Sequence, residues 1–448
     1  MITKIYHILI LNNYSFKLEV EIKFSTSFFK KIVLKTSNSK YNILVINMKY
    51  FGTDGIRGIV NDDLTIELIQ KIGKTLKVLK VDKIYVGYDS RLSNYLVLTS
   101  LVSGILATGI EVINIGMVST PLLQYLSRKY MITTLMITAS HNPYYYNGIK
   151  IFKNGDKLSE EEELLIENSL DKDIVLKTGT YQIDASLKNN YLNYLREFKT
   201  KNDKRIILDL ANGALVNVAK ELFKPEDNIL LINDKPNGRN INLECGSLFI
   251  DKVNLNDYDY LFSFDGDGDR VLFKDKNKIY DGDLIVYILA KYYKLDKVVL
   301  TKNVNLGLLK AFKKSKIKVF YSEVGDKNVY DLMIKENCIL GGESSGHIIN
   351  LKYMTSGDGL LNALIIIKIL NEIDLNDYLK DVEYYPQIKF NLSNEYSMEK
   401  LENIQKKYNK KARINLRRSG TEKVIRVDIS SKNATIIEKI KEEIMNNE

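Results

Sequence analysis

Lys83-Ile84-Tyr85-Val86-Gly87 is a short β-branched run that breaks into a polar loop, and the same unit returns at Arg205-Ile206-Ile207-Leu208 and at Lys297-Val298-Val299-Leu300. Each reads as a strand followed by a loop. Around them Leu68, Ile69, Ile72, Leu76 and Leu79 recur at helical spacing, and Ser159 with Glu162 makes a capping box that opens another helix. This alternation predicts α/β layers, and the three comparable units suggest related α/β modules. The five prolines (121, 143, 225, 236 and 386) fall in polar or loop-like contexts. Pro386, after Glu383-Tyr384-Tyr385, marks the last linker. The piece beyond it, with the alternating strand Val424 to Ile429, is too small for another such unit.

At 448 residues the chain exceeds one core, and about three to four domains are expected. Apolar content of 45% and charged content of 27% describe an ordinary globular protein. The net charge of +9 raises nucleic acid as a partner. The lysines are spread along the chain among acids, however, with no basic tail or aromatic-basic stripe, so a solvated surface rich in Lys, Asn, Ile and Tyr is the better reading and no nucleic-acid partner is expected; the excess also helps attract a phosphorylated small molecule. Cys245 and Cys338 are too few for a disulfide framework and fit a reducing cytoplasm. The longest uncharged stretch, Leu92 to Ile110, carries too many polar and small residues for a membrane span and reads as a buried helix. Met1 to Leu11 lacks the layout of a signal peptide.

Chemistry enters at Asp265-Gly266-Asp267-Gly268-Asp269-Arg270, directly after the apolar run Tyr260-Leu261-Phe262. Three carboxylates at alternate positions repel unless a cation sits among them, and the glycines between them weaken both helix and strand. An all-oxygen set suits a hard divalent ion, Mg²⁺ before Zn²⁺. A solvated acidic turn would explain one Asp-Gly pair but not the triple alternation. The second informative stretch is Ile137-Thr138-Ala139-Ser140-His141-Asn142-Pro143. A serine needs a base or metal to act as a nucleophile. No Ser-His-Asp order or Gly-x-Ser-x-Gly is present, which argues against acyl transfer. Serine with Mg²⁺ and carboxylates points to phosphoryl transfer.

Thr138 to Pro143, Asp265 to Arg270, Gly341-Gly342-Glu343-Ser344-Ser345-Gly346-His347 and Arg417-Arg418-Ser419-Gly420-Thr421 resemble, in order and approximate spacing, the four signatures of the α-D-phosphohexomutases. The resemblance implies three similar α/β domains with mixed sheets plus a smaller C-terminal α+β domain, around a central cleft. The expected boundaries are 48–185 with the serine, 186–280 with the metal loop, 281–383 with the sugar loop and 384–448 with the phosphate site. It also implies that Ser140 carries a phosphoryl group, gives it to a hexose phosphate to form a 1,6-bisphosphate, and takes the other phosphate back. One Mg²⁺ would be held by Asp265, Asp267, Asp269 and an oxygen on Ser140, since a phosphoserine adds about two negative charges to an already acidic cluster.

Within this resemblance Lys150 matches the candidate base, its pKa expected to fall toward neutrality beside Arg57 and other cations. Arg57 matches an active-site position. Arg270 would counter the phosphoryl charge, or else close its own loop by a salt bridge. His141 and His347, two of only three histidines, are assigned support or proton shuttling. Glu343 and Ser345 match the sugar-reading loop. Arg417, Ser419, Gly420 and Thr421 match the clamp for the non-reacting phosphate, and the C-terminal domain is expected to hinge open while the intermediate turns over. A kinase or a bisphosphate donor must first load Ser140.

Tyr50 to Gly58, Asn240-Ile241-Asn242, Asn305-Leu306-Gly307-Leu308 and Arg417 to Thr421 resemble the phosphoglucosamine mutase branch rather than the phosphomannomutase or phosphoglucomutase branches. That branch interconverts glucosamine 6-phosphate and glucosamine 1-phosphate ahead of UDP-N-acetylglucosamine and the cell wall. Ser344, Tyr146 and Lys423 depart from the branch pattern without removing a reacting group. Residues 1–47 stand apart. Lys17 to Phe24 alternates as a strand and Asn42 to Asn47 is a second apolar run. Two readings stand, an accessory hairpin or an extension outside the native protein; the second is favoured, because Met48 to Gly55 looks like a family start and a lone hairpin is marginal in water.

Overall fold

The computed structural model describes residues 3–446 apart from 12–13, 24–29, 36–40, 47–48, 173, 175–176, 254–256 and 419–423. The chain divides into two units, one of Phe51–Tyr385 and one of Met1–Tyr50 with Pro386–Glu448.

Three sheets of the larger unit repeat one pattern. The first strand is central, the second and third pair parallel to it on either side, and the fourth turns back antiparallel to the third. In the first sheet these strands are Lys83–Tyr88, Glu111–Met117, Thr133–Ile137 and Tyr146–Lys153. Gly55–Ile59 and Phe51–Gly52 extend the antiparallel edge, Tyr181–Ile183 extends the parallel one, and Asp156–Lys157 folds back on Tyr146–Lys153. In the second sheet the strands are Ile206–Asp209, Ile229–Ile232, Tyr260–Phe264 and Val271–Lys274, with Ile279–Tyr280 beyond. In the third they are Lys297–Thr301, Lys318–Ser322, Leu340–Gly342 and Ile348–Asn350. The three runs read from sequence are the central strands, buried on both faces as parallel strands must be. The expected capping box is present at helix Glu160–Glu167, and Leu92 to Ile110 contains the buried helix Asn94–Leu106. Among the described residues no helix is long and apolar enough to cross a membrane.

The repeat decides where chemistry sits. In each sheet the turn from third to fourth strand carries one signature: Ser140 in the first, Asp265 to Arg270 in the second, Glu343 to His347 in the third. Helices Gly282–Tyr292 and Gly359–Glu372 are apolar nearly all round and lie in the cluster that joins the modules.

Asp358 caps the second of these helices, accepting from Leu361 N at 3.0 Å and from the Tyr191 hydroxyl at 2.8 and 2.9 Å. Burial pushes its carboxyl up to about 6 against the hydrogen bonds that favour the anion. Between pH 4 and 6 the folded chain therefore holds a proton that the unfolded chain has lost, and stability declines as pH rises through that window. Asp358→Asn keeps the cap and the tyrosine bond without the charge. The wild type is expected to lose roughly 3 kcal/mol relative to this variant between pH 4 and pH 6.5, read from unfolding free energies. Parallel pH profiles would refute the assignment.

In the smaller unit, Gln387–Ser393, Val424–Ser430 and Arg413–Arg418 form an antiparallel sheet whose central strand, Val424–Ser430, is the last of the three in sequence. Helices Met398–Tyr408 and Ala434–Met445 supply Leu401, Ile404, Ile437 and Ile440 to one core with Ile425, Val427 and Ile429. Residues 3–46 form a four-stranded antiparallel meander, Thr3–Leu11, Tyr14–Lys23, Lys30–Lys35 and Tyr41–Ile46, a larger element than the hairpin suggested by alternation alone.

Candidate active site

Ser140 is fully buried at the turn of the first module and holds a left-handed backbone, φ +50°. That conformation costs a β-carbon-bearing residue about 1–3 kcal/mol and needs support. Support comes from Arg91. Its guanidinium donates to the carbonyls of Ser140 (2.8 Å), Asn142 (2.9 Å), Tyr146 (3.0 Å) and Pro143, while its Nε pairs with Asp89 at 2.9 Å in complete burial. Asp89 also accepts from Thr138 Oγ1 at 2.7 Å, and Asn242 Nδ2 donates to the Ser140 carbonyl at 2.9 Å. The serine hydroxyl is thereby aimed at the second module, where it donates to Asp265 Oδ2 at 2.6 Å.

The aspartate loop can come this close because Gly266 has no side chain. A β-carbon there would lie 2.7 Å from the Ser140 carbonyl oxygen, and Gly268 takes φ +78° beside it. Asp265, Asp267 and Asp269 are buried, each offering an oxygen within 4.8 Å of the others. Asp267 Oδ2 accepts from Thr120 Oγ1 at 2.6 Å, while Asp267 Oδ1 and Asp269 Oδ1 have no hydrogen-bond partner. Buried carboxylate oxygens left bare in a three-acid cluster fit a hard divalent ion.

Lys150 lies on the fourth strand, and its Nζ meets Asp267 Oδ2 at 2.7 Å, Asp269 Oδ2 at 2.9 Å and Asp54 Oδ2 at 2.9 Å. Burial by itself pushes this ammonium down, but the three carboxylates outweigh it and hold the pKa well above the ordinary lysine value. The expected fall toward neutrality is thus corrected: Arg57 opposes the proton, yet the anions lie closer and are more numerous. Burial and the neighbouring charges of Asp269 and Asp267 push Asp265 well above the carboxylate range. For Asp267 burial acts the same way, but Lys150 and its hydrogen bond win and the pKa falls below that range.

The Arg270 backbone N–H donates to Asp265 Oδ1 at 3.2 Å, and its Nε stands 3.9 Å from Asp265 and Asp269 without a hydrogen bond. At that distance the guanidinium neutralises the loop without closing it. Arg57 pairs with Asp54 and keeps its Nε bare. His141 Nδ1 lies 3.3 Å from Ser140 Oγ, and Arg270, burial and Arg57 together push its pKa down to about 2, so the imidazole is neutral. In the third module Glu343 Oε1 accepts from Gly325 N at 2.9 Å, His347 Nε2 is 3.8 Å from Asp269, and Ser345 is half-buried in the same turn. Arg417 is the last residue but one of strand Arg413–Arg418 in the smaller unit; Ser419, Gly420 and Thr421 lie outside the described residues.

The profile of phosphoglucomutase/phosphomannomutase α/β/α domain I matches residues 48–175, and that of domain III matches 281–385. A phosphoglucosamine mutase of Natranaerobius thermophilus is 40% identical over 430 residues, covering 88% of this chain and 97% of that protein. One of Dictyoglomus turgidum is 38% identical over 418 residues, 85% and 94% respectively. The chain belongs to the α-D-phosphohexomutase family. The fold agrees. A phosphoglucomutase/phosphomannomutase family protein of Burkholderia thailandensis superposes with TM-score 0.74 at 20% identity, covering 88% and 96% of the two chains. Aspergillus fumigatus N-acetylphosphoglucosamine mutase, solved with GlcNAc-6P and magnesium, gives 0.63 at 17% identity, 89% and 95%.

Several residues of this phosphohexomutase site were not singled out from sequence: Asp54, Asp89, Arg91, Thr120 and Asn242. Asp89 and Arg91 follow the first strand directly, and a polar break after a buried run was the available signal. Asp209 stands at the same place in the second module and accepts from Ser263 Oγ at 2.8 Å, as Asp89 does from Thr138. Arg91→Met would leave the buried Asp89 carboxylate without its cation and take the guanidinium from four carbonyls of the turn. Its unfolding free energy is expected to fall by about 3–5 kcal/mol in chemical denaturation. A loss of less than about 1 kcal/mol would mean the guanidinium does not hold the turn.

Proposed function

We propose that this protein interconverts glucosamine 6-phosphate and glucosamine 1-phosphate in the cytoplasm, as an isomerase working through phosphoserine at Ser140 and a glucosamine 1,6-bisphosphate. The observation that carries the reading is the Ser140 hydroxyl set against a buried trio of aspartates with a buried lysine beside them. The identity of 38–40% over most of the chain to phosphoglucosamine mutases favours glucosamine over mannose or glucose.

The residues divide the work. Asp265, Asp267 and Asp269 would hold Mg²⁺ together with a phosphate oxygen on Ser140. Such an ion would supply charge neutralisation for the phosphate and, by sharing the carboxylates of Asp267 and Asp269 with Lys150, would ease loss of the lysine proton. Lys150 then takes the proton of the attacking sugar hydroxyl as that oxygen bonds to phosphorus and the phosphorus–Ser140 bond breaks. The return step reverses these changes at the other end of the sugar. Arg270 and Arg57 meet the phosphoryl charge, and neutral His141 orients the Ser140 oxygen. Glu343, Ser345 and His347 read the sugar hydroxyls. Arg417, Ser419, Gly420 and Thr421 hold the distal phosphate, on a C-terminal domain that hinges for reorientation, and a kinase or bisphosphate primes Ser140.

The test is kcat/KM with Mg²⁺ for the 6-phosphates of glucosamine, glucose and mannose, before and after chelation. Glucosamine 6-phosphate should lead and chelation should silence all three. A glucosamine value below either competitor would overturn the sugar assignment, and steady phosphate release without isomer formation would overturn the mutase.

A further inference from the structure

The sugar-reading turn and Lys150 belong to different modules, yet an unbroken run of alternating charge joins them. Lys150 Nζ meets Asp54 Oδ2 at 2.9 Å, and Asp54 Oδ1 meets Lys157 Nζ at 2.6 Å. Lys157 pairs in turn with Asp326, and Asp326 Oδ2 lies 3.4 Å from His347 Nε2. Asp54 and Lys157 come from the edge of the first sheet. Asp326 opens helix Asp326–Lys335 of the third module. The residue before it, Gly325, donates its N–H to Glu343 Oε1 at 2.9 Å. Asp326 is therefore tied on one side to both polar ends of the sugar-reading turn, and on the other to the lysine that holds Asp54.

Every member is buried or nearly so, with side-chain exposures of 2% for Lys150, 17% for Asp54, 19% for Lys157 and 9% for Asp326. In such surroundings the loss of a partner is felt by the next ion, although Asp54 also keeps Arg57 and Lys150 also keeps Asp267 and Asp269; the Lys157–Asp326 pair is the link that joins the two modules. Lys327, next along the helix, is engaged elsewhere, with Glu163 at 3.1 Å and the Leu158 carbonyl at 3.0 Å, which leaves Lys157 as the cation that pairs Asp326.

We propose that Asp326 is a positioning residue that acts through Lys157 and Asp54 to set Lys150 when Glu343 and His347 engage the sugar. This rests on the mutase reading above. A residue that only propped the sugar turn would act on substrate binding; one that acts through Lys150 acts on the chemical step.

Steady-state kinetics of Asp326→Asn, Lys157→Met and the double variant decide it. Each single change should lower kcat about tenfold with KM held within about twofold, and the double variant should be no worse than the poorer single one, because both cut the same chain. Lys157→Arg, which keeps the charge, should stay within about threefold of the parent. The proposal is overturned if kcat stays within about twofold in both single variants, if only KM rises, or if the losses multiply. Should the parent interconvert no sugar phosphate, the mutase reading fails by itself and the charge chain is judged by stability. Asp54→Asn and Asp326→Asn, whose carboxylates share Lys157, should then cost more together than the sum of each alone; additive costs would overturn it.

Discussion

Ser140→Ala is expected to reduce sugar-phosphate interconversion by about ten-thousandfold or more, since it removes the atom that carries the phosphoryl group. The methyl side chain fits the space, and the turn is held through its backbone: Arg91 and Asn242 grip the carbonyl of residue 140, not its side chain. The variant should therefore fold, with a melting temperature near that of the parent. Intact mass gives a second readout, because under the proposed scheme the parent should gain about 80 Da from a hexose bisphosphate and the variant should not. An alanine variant that turns over at the parental rate would end the phosphoserine scheme, whatever its mass.

Lys150→Met should lower kcat by about a hundred- to ten-thousandfold while leaving substrate affinity nearly unchanged, the signature of a lost proton acceptor. Its second effect separates chemistry from electrostatics. Methionine fills the volume but leaves Asp54, Asp267 and Asp269 without their ammonium, so the metal-free variant should unfold at lower temperature than the metal-free parent. Added Mg²⁺ should then stabilise the variant more than the parent, by mass action on a site with no competing cation, without restoring kcat. Activity within about threefold of the parent would remove Lys150 from the proton transfer.

The readings that succeeded from sequence share one property: their signal is contiguous. The alternation in Asp265 to Arg270 is complete within six residues, and the close-set acidic cluster that the structure shows follows from that spacing. The three β-branched runs and the Ser159–Glu162 cap are equally local. The repeat of the three modules was only suggested, because their side chains differ; what they share is strand order and pairing direction, which backbone hydrogen bonds display and residue identity does not.

The failures share the opposite property. The direction of the Lys150 shift was misjudged because the sequence reading set only cations, Arg57 among them, beside it, whereas Asp267 and Asp269, 117 and 119 residues away, face it in the fold and decide the sign. Arg91 escaped notice because its acceptors are main-chain carbonyls some fifty residues on, and a carbonyl has no sequence letter. The run from Lys150 to His347 could not be read either, since its central Lys157–Asp326 pair forms only once two modules meet.

By itself, then, the chain dictates its modules, its acidic loop and the serine turn, because strand burial, glycine freedom and like-charge repulsion act between near neighbours. The tertiary structure alone decides which cation faces which anion, how far each pKa moves and what holds Ser140 in a strained conformation. Those outcomes are sums of Coulomb and desolvation energies over groups that only folding brings within a few ångströms of each other.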